Sequence, residues 1–166
     1  MTGEMMKKIA WITAFIGSIV AANWMTSAFG LVPIGFGLLV TAGTFAAGFA
    51  LVARDGVQVS LGPYWAIGAI ALGAVISAVT SNPAIALASG IAFLASELVD
   101  FAVFTPLRKK TIAGAVVTSS IVSAPVDTVL FLQLAGFGIT WQAILGQFIV
   151  KTAIAGAAAV YLSARK

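Results

Sequence analysis

Read for hydropathy alone, the chain divides into apolar stretches over 9–29, 32–53, 64–80, 84–104, 112–135 and 140–163. A helix needs about 20 apolar residues to cross a bilayer core. The pattern therefore predicts an all-α membrane protein, a six-transmembrane-helix bundle forming a single polytopic domain over 1–166. The third stretch is the shortest. The breaks carry turn and breaker residues: Gly30 to Pro33, the polar segment Arg54 to Pro63, Asn82–Pro83, Pro106 to Lys110, and Gly136 to Gly138.

Charge orients this bundle. Lys7 and Lys8 precede the first stretch, Arg54 follows the second, Arg108, Lys109 and Lys110 follow the fourth, and Arg165 and Lys166 end the chain. The alternate breaks hold no Lys or Arg. Positive residues collect on the cytoplasmic side, so the expectation is both termini in the cytoplasm of the cell inner membrane. Arg54 reads as one of these topological charges. The first apolar run is longer than a signal peptide requires and Asn23 interrupts its end, so it reads as an uncleaved span.

Composition agrees: 61% of residues are hydrophobic, 8% are charged, and the mean hydropathy is +1.10. Too little polar surface remains to cover a water-soluble core. With no cysteine and no histidine, disulfides, thiolate chemistry and the usual zinc or haem sites are excluded. The net charge of +4 orients the chain in a membrane and does not mark a nucleic-acid binder. Small residues recur at Ala42, Ala46 and Ala50, at Ala10 and Ala14, and at Gly43 and Ala47, a pattern that lets helices pack closely in lipid.

The informative residues are the polar ones inside the apolar stretches. A charge at mid-membrane costs roughly 2.5–3.5 kcal/mol on insertion scales, so such residues face an interior site. In the fourth stretch Ser89, Phe93, Ser96, Glu97, Asp100 and Phe104 step by three and four along one helix face. In the fifth, Ser119, Ser123, Asp127 and Phe131 step by four, and Pro125 removes one backbone donor just before Asp127. Gln147 lies one turn before Lys151 in the sixth, and Asn23 one turn before Ser27 in the first. The candidate substrate-binding residues are Asn23, Phe93, Glu97, Asp100, Ser119, Ser123, Asp127, Phe131, Gln147 and Lys151.

Structural roles compete with these. Lys151 either pairs with Asp127 or Glu97 to hold the bundle or meets the ligand, and Asp100 either partners Arg108 two turns away or meets the ligand. Three acids against one base leave negative charge to be protonated, screened by water or matched by a ligand. Carboxylates beside aromatics suit a flat heterocycle with a donor edge, or a cationic amine. A protonatable carboxylate equally suits coupling to protons.

The run Leu87–Arg108 resembles the fourth span of the vitamin uptake transporter (VUT) family, the queuosine-precursor transporters. Ser119 to Phe131 resembles that family's segment of a serine followed eight residues later by Asp-Ser/Thr and then Phe. Arg54-Asp55, Gln58 and Gly62 are similar to its Arg-Asp…Gln…Gly signature, and Asn23, Gln147 and Lys151 match polar positions of its first and last spans. The resemblance implies an importer of 7-cyano- or 7-aminomethyl-7-deazaguanine, with Glu97, Asp100, Ser119, Asp127 and Lys151 lining the site. The chain departs from the family at Ala124, often Gln there, and at Ala115–Thr118, which lacks a second Arg.

Four function classes follow. The first is a substrate-specific importer using no cofactor, with the bilayer, a 7-deazapurine and possible coupling protons as its partners. The second is a substrate-capture subunit of an energy-coupling-factor transporter, with Ala10 and Ala14 as a docking face; a homo-oligomer is compatible with either. A membrane enzyme is disfavoured by the missing His and Cys and by the absence of a nucleophile–base pair. A structural membrane protein would show altered stability without a ligand when Asp127 or Glu97 is neutralised. No Walker motif is present, so any use of ATP comes from a partner.

Overall fold

The computed structural model describes the backbone of residues 3–164 and the side chains of residues 3–160; Arg165 and Lys166 of the orienting pattern lie outside the described residues. The elements run α1 (Gly3–Phe29), β1 (Leu31–Gly35), β2 (Leu38–Thr41), α2 (Thr44–Leu61), α3 (Pro63–Thr80), α4 (Pro83–Leu107), α5 (Ile112–Leu134) and α6 (Trp141–Ala164).

Local chemistry sets the helix ends. Asn82 caps α4 by accepting hydrogen bonds from the backbone N–H groups of Ala84 (2.9 Å) and Ile85 (3.3 Å), with Pro83 opening the first turn. At the end of α5 the Phe137 N–H donates to the Leu132 carbonyl and the Gly136 N–H to that of Gln133. This Schellman closure needs the left-handed conformation of Gly136, φ 77°. Pro125 sits within α5 and Pro106 within α4, and both helices continue through them.

The helices close into a ring. α1 packs on α2, α2 on α6, α6 on α5, α5 on α4, α4 on α3, and α3 back on α1. The ring buries polar side chains beside an apolar core around Phe15 and turns apolar ones outward. Along α4, Ser89, Phe93, Ser96, Glu97, Asp100 and Phe104 are buried, while Leu87, Ile91, Leu94, Leu98 and Phe101 are exposed. In α5 Ser119, Ser120, Ser123, Asp127 and Thr128 are buried, with Ile121 and Val122 outside. A protein in water shows the reverse distribution, whereas lipid demands this one. Five helices, α1, α3, α4, α5 and α6, are long and apolar enough to cross a membrane. The chain is a multi-pass membrane protein.

The helix expected over 32–53 is corrected. Residues 31–41 form an antiparallel hairpin pairing Val32 with Val40 and Pro33 with Leu39, and α2 begins only at Thr44 and reaches Leu61. Hydropathy measures transfer from water and is blind to backbone shape. Pro33 lacks an N–H for a helix interior, and Gly35, Phe36 and Gly37 take φ of 96°, 54° and 73° through the turn. Ala42 of the expected Ala42–Ala46–Ala50 face accordingly precedes α2, its N–H bonded to the Gly30 carbonyl. Gly43 and Gly146 mark close approaches: a Cβ at the first would run into the Ala22 carbonyl, and at the second into that of Leu39. Gly43 thereby brings the start of α2 onto α1, and Gly146 brings α6 onto the hairpin.

Candidate functional site

The buried charged residues of α2, α4, α5 and α6 belong to two separate centres, one at the hairpin end of the ring and one deeper.

The first surrounds a narrow cavity of about 20 Å³, room for about one water. Its wall draws on α1 (Asn23, Thr26), the hairpin (Thr41), α4 (Ser89, Phe93), α5 (Asp127, Phe131) and α6 (Gln147, Lys151). The Lys151 Nζ donates to Asp127 Oδ2 at 2.6 Å and to Thr128 Oγ1 at 2.9 Å. Of the two partners open to Lys151, Asp127 is the one it takes. The amide nitrogens Asn23 Nδ2 and Gln147 Nε2 are buried and make no hydrogen bond within the protein. The wall thus combines a carboxylate held by a lysine, two unused amide donors and two aromatic rings. That set can grip the polar edge of a flat heterocycle and stack on its face.

Position follows from helix pitch. Asp127 and Phe131, and Gln147 and Lys151, are each one turn apart on their helices and so share a face. Gly48 of α2 permits the approach of α6 at this level, since a Cβ there would sit 3.4 Å from the Lys151 Cα. Thr26 accepts the Gly43 N–H at 3.2 Å, tying α1 to the start of α2 beside the cavity.

The second centre is built on Arg54. Its Nη1 lies 2.6 Å from Glu97 Oε2 and 2.9 Å from Asp100 Oδ2, and its Nη2 lies 2.9 Å from Asp55 Oδ1. The guanidinium is 1% exposed, Asp100 0% and Asp55 4%. The topological reading of Arg54 is therefore corrected. An arginine that ends an apolar run looks like a boundary charge, but α2 continues past Arg54 to Leu61 and carries Arg54 inward. The partner of Asp100 is this arginine, while Arg108 is exposed. The positive residues left at the end opposite the hairpin, among those described, are Lys7, Lys8, Arg108, Lys109 and Lys110.

Of the ten candidate residues, the cavity brings together Asn23, Phe93, Asp127, Phe131, Gln147 and Lys151. Glu97 and Asp100 lie off its wall in the Arg54 network. Ser119 and Ser123 are fully buried farther along the Asp127 face of α5, the Ser119 hydroxyl donating to the Val116 carbonyl at 3.4 Å. Phe93 divides the α4 stripe: its ring meets Phe15 edge-on at 6.3 Å, and Glu97 follows one turn later. Sequence reasoning missed Thr26, Thr41, Arg54 and Asp55. For Arg54 a signal existed in the imbalance of three acids against one base, which called for a further buried cation. For Thr41 there was none, because its place depends on the hairpin.

No curated protein and no solved structure matches the chain. The model of the family described as "Putative vitamin uptake transporter" matches residues 4–163, and the chain belongs to that family.

Proposed function

We propose that the chain imports queuosine precursors, 7-cyano- or 7-aminomethyl-7-deazaguanine, binding them between the helices at the Asp127–Lys151 cavity. The observation that carries this reading is the lysine-held carboxylate beside the unused amide donors of Asn23 and Gln147. A deazaguanine offers both complements. Its ring N–H and amino group form a donor edge for Asp127, and its carbonyl accepts from an amide. Phe93 and Phe131 supply stacking surfaces. Ser119 and Ser123 continue the Asp127 face of α5.

The cavity is too small for a purine-sized body, so loading requires the helices to part on the hairpin side. Lys7, Lys8 and Arg108 to Lys110 favour cytoplasmic termini, which places the hairpin and the cavity toward the outside. In that orientation α2 is a sixth span, its charges buried against α4. The inner membrane is the setting.

The test is tRNA queuosine content in a bacterium that neither makes nor imports these precursors. Wild type should restore the modification at low external precursor, and Asp127→Asn, inserted at the same level, should abolish it. A well-inserted wild type that restores nothing with either compound removes the substrate assignment. Co-purification with ATPase and coupling subunits would move the chain to the energy-coupling-factor class. For that docking Ala10 is exposed, but Ala14 is partly engaged in the core around Phe15.

A further inference from the structure

The substrate cavity leaves the Arg54 network unexplained. A guanidinium carries one positive charge, and three carboxylates surround it. Glu97 and Asp100, one turn apart on α4, hang on the same Nη1, leaving Glu97 Oε1 and Asp100 Oδ1 buried without a hydrogen-bond donor. Gln58, one turn beyond Arg54 on the same face of α2, is also buried, and neither its amide oxygen nor its nitrogen is bonded within the protein.

Among the described residues, none packed against the network supplies another cation. On α1 the charged residues Glu4, Lys7 and Lys8 are exposed, and Glu4 and Lys7 pair with each other. On α3 the titratable group is Tyr64, which is exposed. Asp127 of α5 and Lys151 of α6 neutralise one another at the level of Gly48, six residues before Arg54 and so about 9 Å away along α2. Arg108, Lys109 and Lys110 are exposed. Among the described residues two negative charges are thus left without a fixed counter-charge in a buried, low-dielectric interior.

We infer that the Arg54 network is a proton-binding centre, in which one exchangeable proton is held between Glu97 and Asp100. A proton fits where a metal cation does not, because the guanidinium already occupies the middle of the carboxylates and repels a second fixed charge. The proton adds an O–H donor between the unbonded oxygens Glu97 Oε1 and Asp100 Oδ1, and it removes one of the uncompensated charges. Phe93, its ring edge-on to Phe15, lines the substrate cavity one turn before Glu97, so the two sites lie a helical turn apart along α4. The network also ties α2 to α4. Adding or losing the proton changes the strength of that tie and hence the ease with which the two helices separate. Used in this way the centre couples proton passage to import, a role that rests on the proposed function; the proton site itself does not.

The first experiment uses the full chain in lipid nanodiscs without substrate. Infrared difference spectra are recorded between mildly acidic and alkaline pH in H2O and D2O. Wild type should show the carbonyl stretch of a protonated, buried carboxylic acid that shifts in D2O and is lost at alkaline pH. Glu97→Gln and Asp100→Asn should each lose it, and Asp127→Asn should keep it. Absence of the band in folded wild type overturns the inference, as does a band lost only in Asp127→Asn. The second uses proteoliposomes and labelled 7-cyano-7-deazaguanine. Glu97→Gln should keep exchange across the membrane but lose accumulation driven by a proton gradient. Undiminished accumulation in both Glu97→Gln and Asp100→Asn overturns the coupling role. If wild type moves neither precursor, the substrate assignment fails while the infrared result still decides the proton centre.

Discussion

The two buried charge centres are made of the same ingredients and balanced differently. At the cavity one acid meets one base: Lys151 faces Asp127, Thr128 completes its hydrogen bonding, and the pair borders open space. Around Arg54 three acids meet one base, and none of the four lines that cavity. A balanced pair at a cavity can spare its carboxylate's free edge for a ligand without leaving a buried charge uncompensated. An unbalanced buried network needs added positive charge instead. Burial of ionisable groups alone therefore does not make the two centres alike; the ratio of charges and the adjoining space set them apart.

The comparison breaks most violently at Arg54. Arg54→Met leaves three carboxylates buried with no cation at all, and removing one partner of a buried ion pair costs about 3–5 kcal/mol. We expect little folded protein by size-exclusion chromatography in detergent, and a variant as stable as wild type would mean the network is not formed. The balanced pair should be more forgiving when altered as a unit. Lys151→Met alone and Asp127→Asn alone should each lower the melting temperature in detergent, with Lys151→Met the worse because the amide oxygen in Asp127→Asn still accepts from Nζ, whereas methionine offers the carboxylate no donor. The double variant should recover much of the loss without recovering uptake. Additive losses in this cycle would show that the two side chains do not interact. The smallest effect belongs to Arg108→Gln. Its side chain is exposed and bonds to neither centre, so the melting temperature and uptake should match wild type; destabilisation would revive Arg108 as the partner of Asp100.

Much of the interior was legible along the chain. The three-and-four spacing from Ser89 to Phe104 and the four-residue steps from Ser119 to Phe131 select one face of each helix, and those faces are buried. The boundaries at Asn82–Pro83 and Gly136 were readable because caps and left-handed glycines are local features. The hairpin was not, since hydropathy treats Val32 to Ala53 as one apolar run and its strand pairing depends on contacts between residues several positions apart.

By itself, then, the sequence determined that the chain lives in a membrane, that its helices turn their polar faces inward, and which helix faces those are. Each of these follows from transfer energies and from the 3.6-residue helical repeat, which are properties of a segment alone. Tertiary structure decided which acid met which base. Lys151 chose Asp127 over Glu97, Arg54 left the boundary to gather Asp55, Glu97 and Asp100, and Phe93 split one stripe between two centres. Ion pairing acts over a few ångströms between different helices, and only the order of the helices around the ring brings those partners within reach.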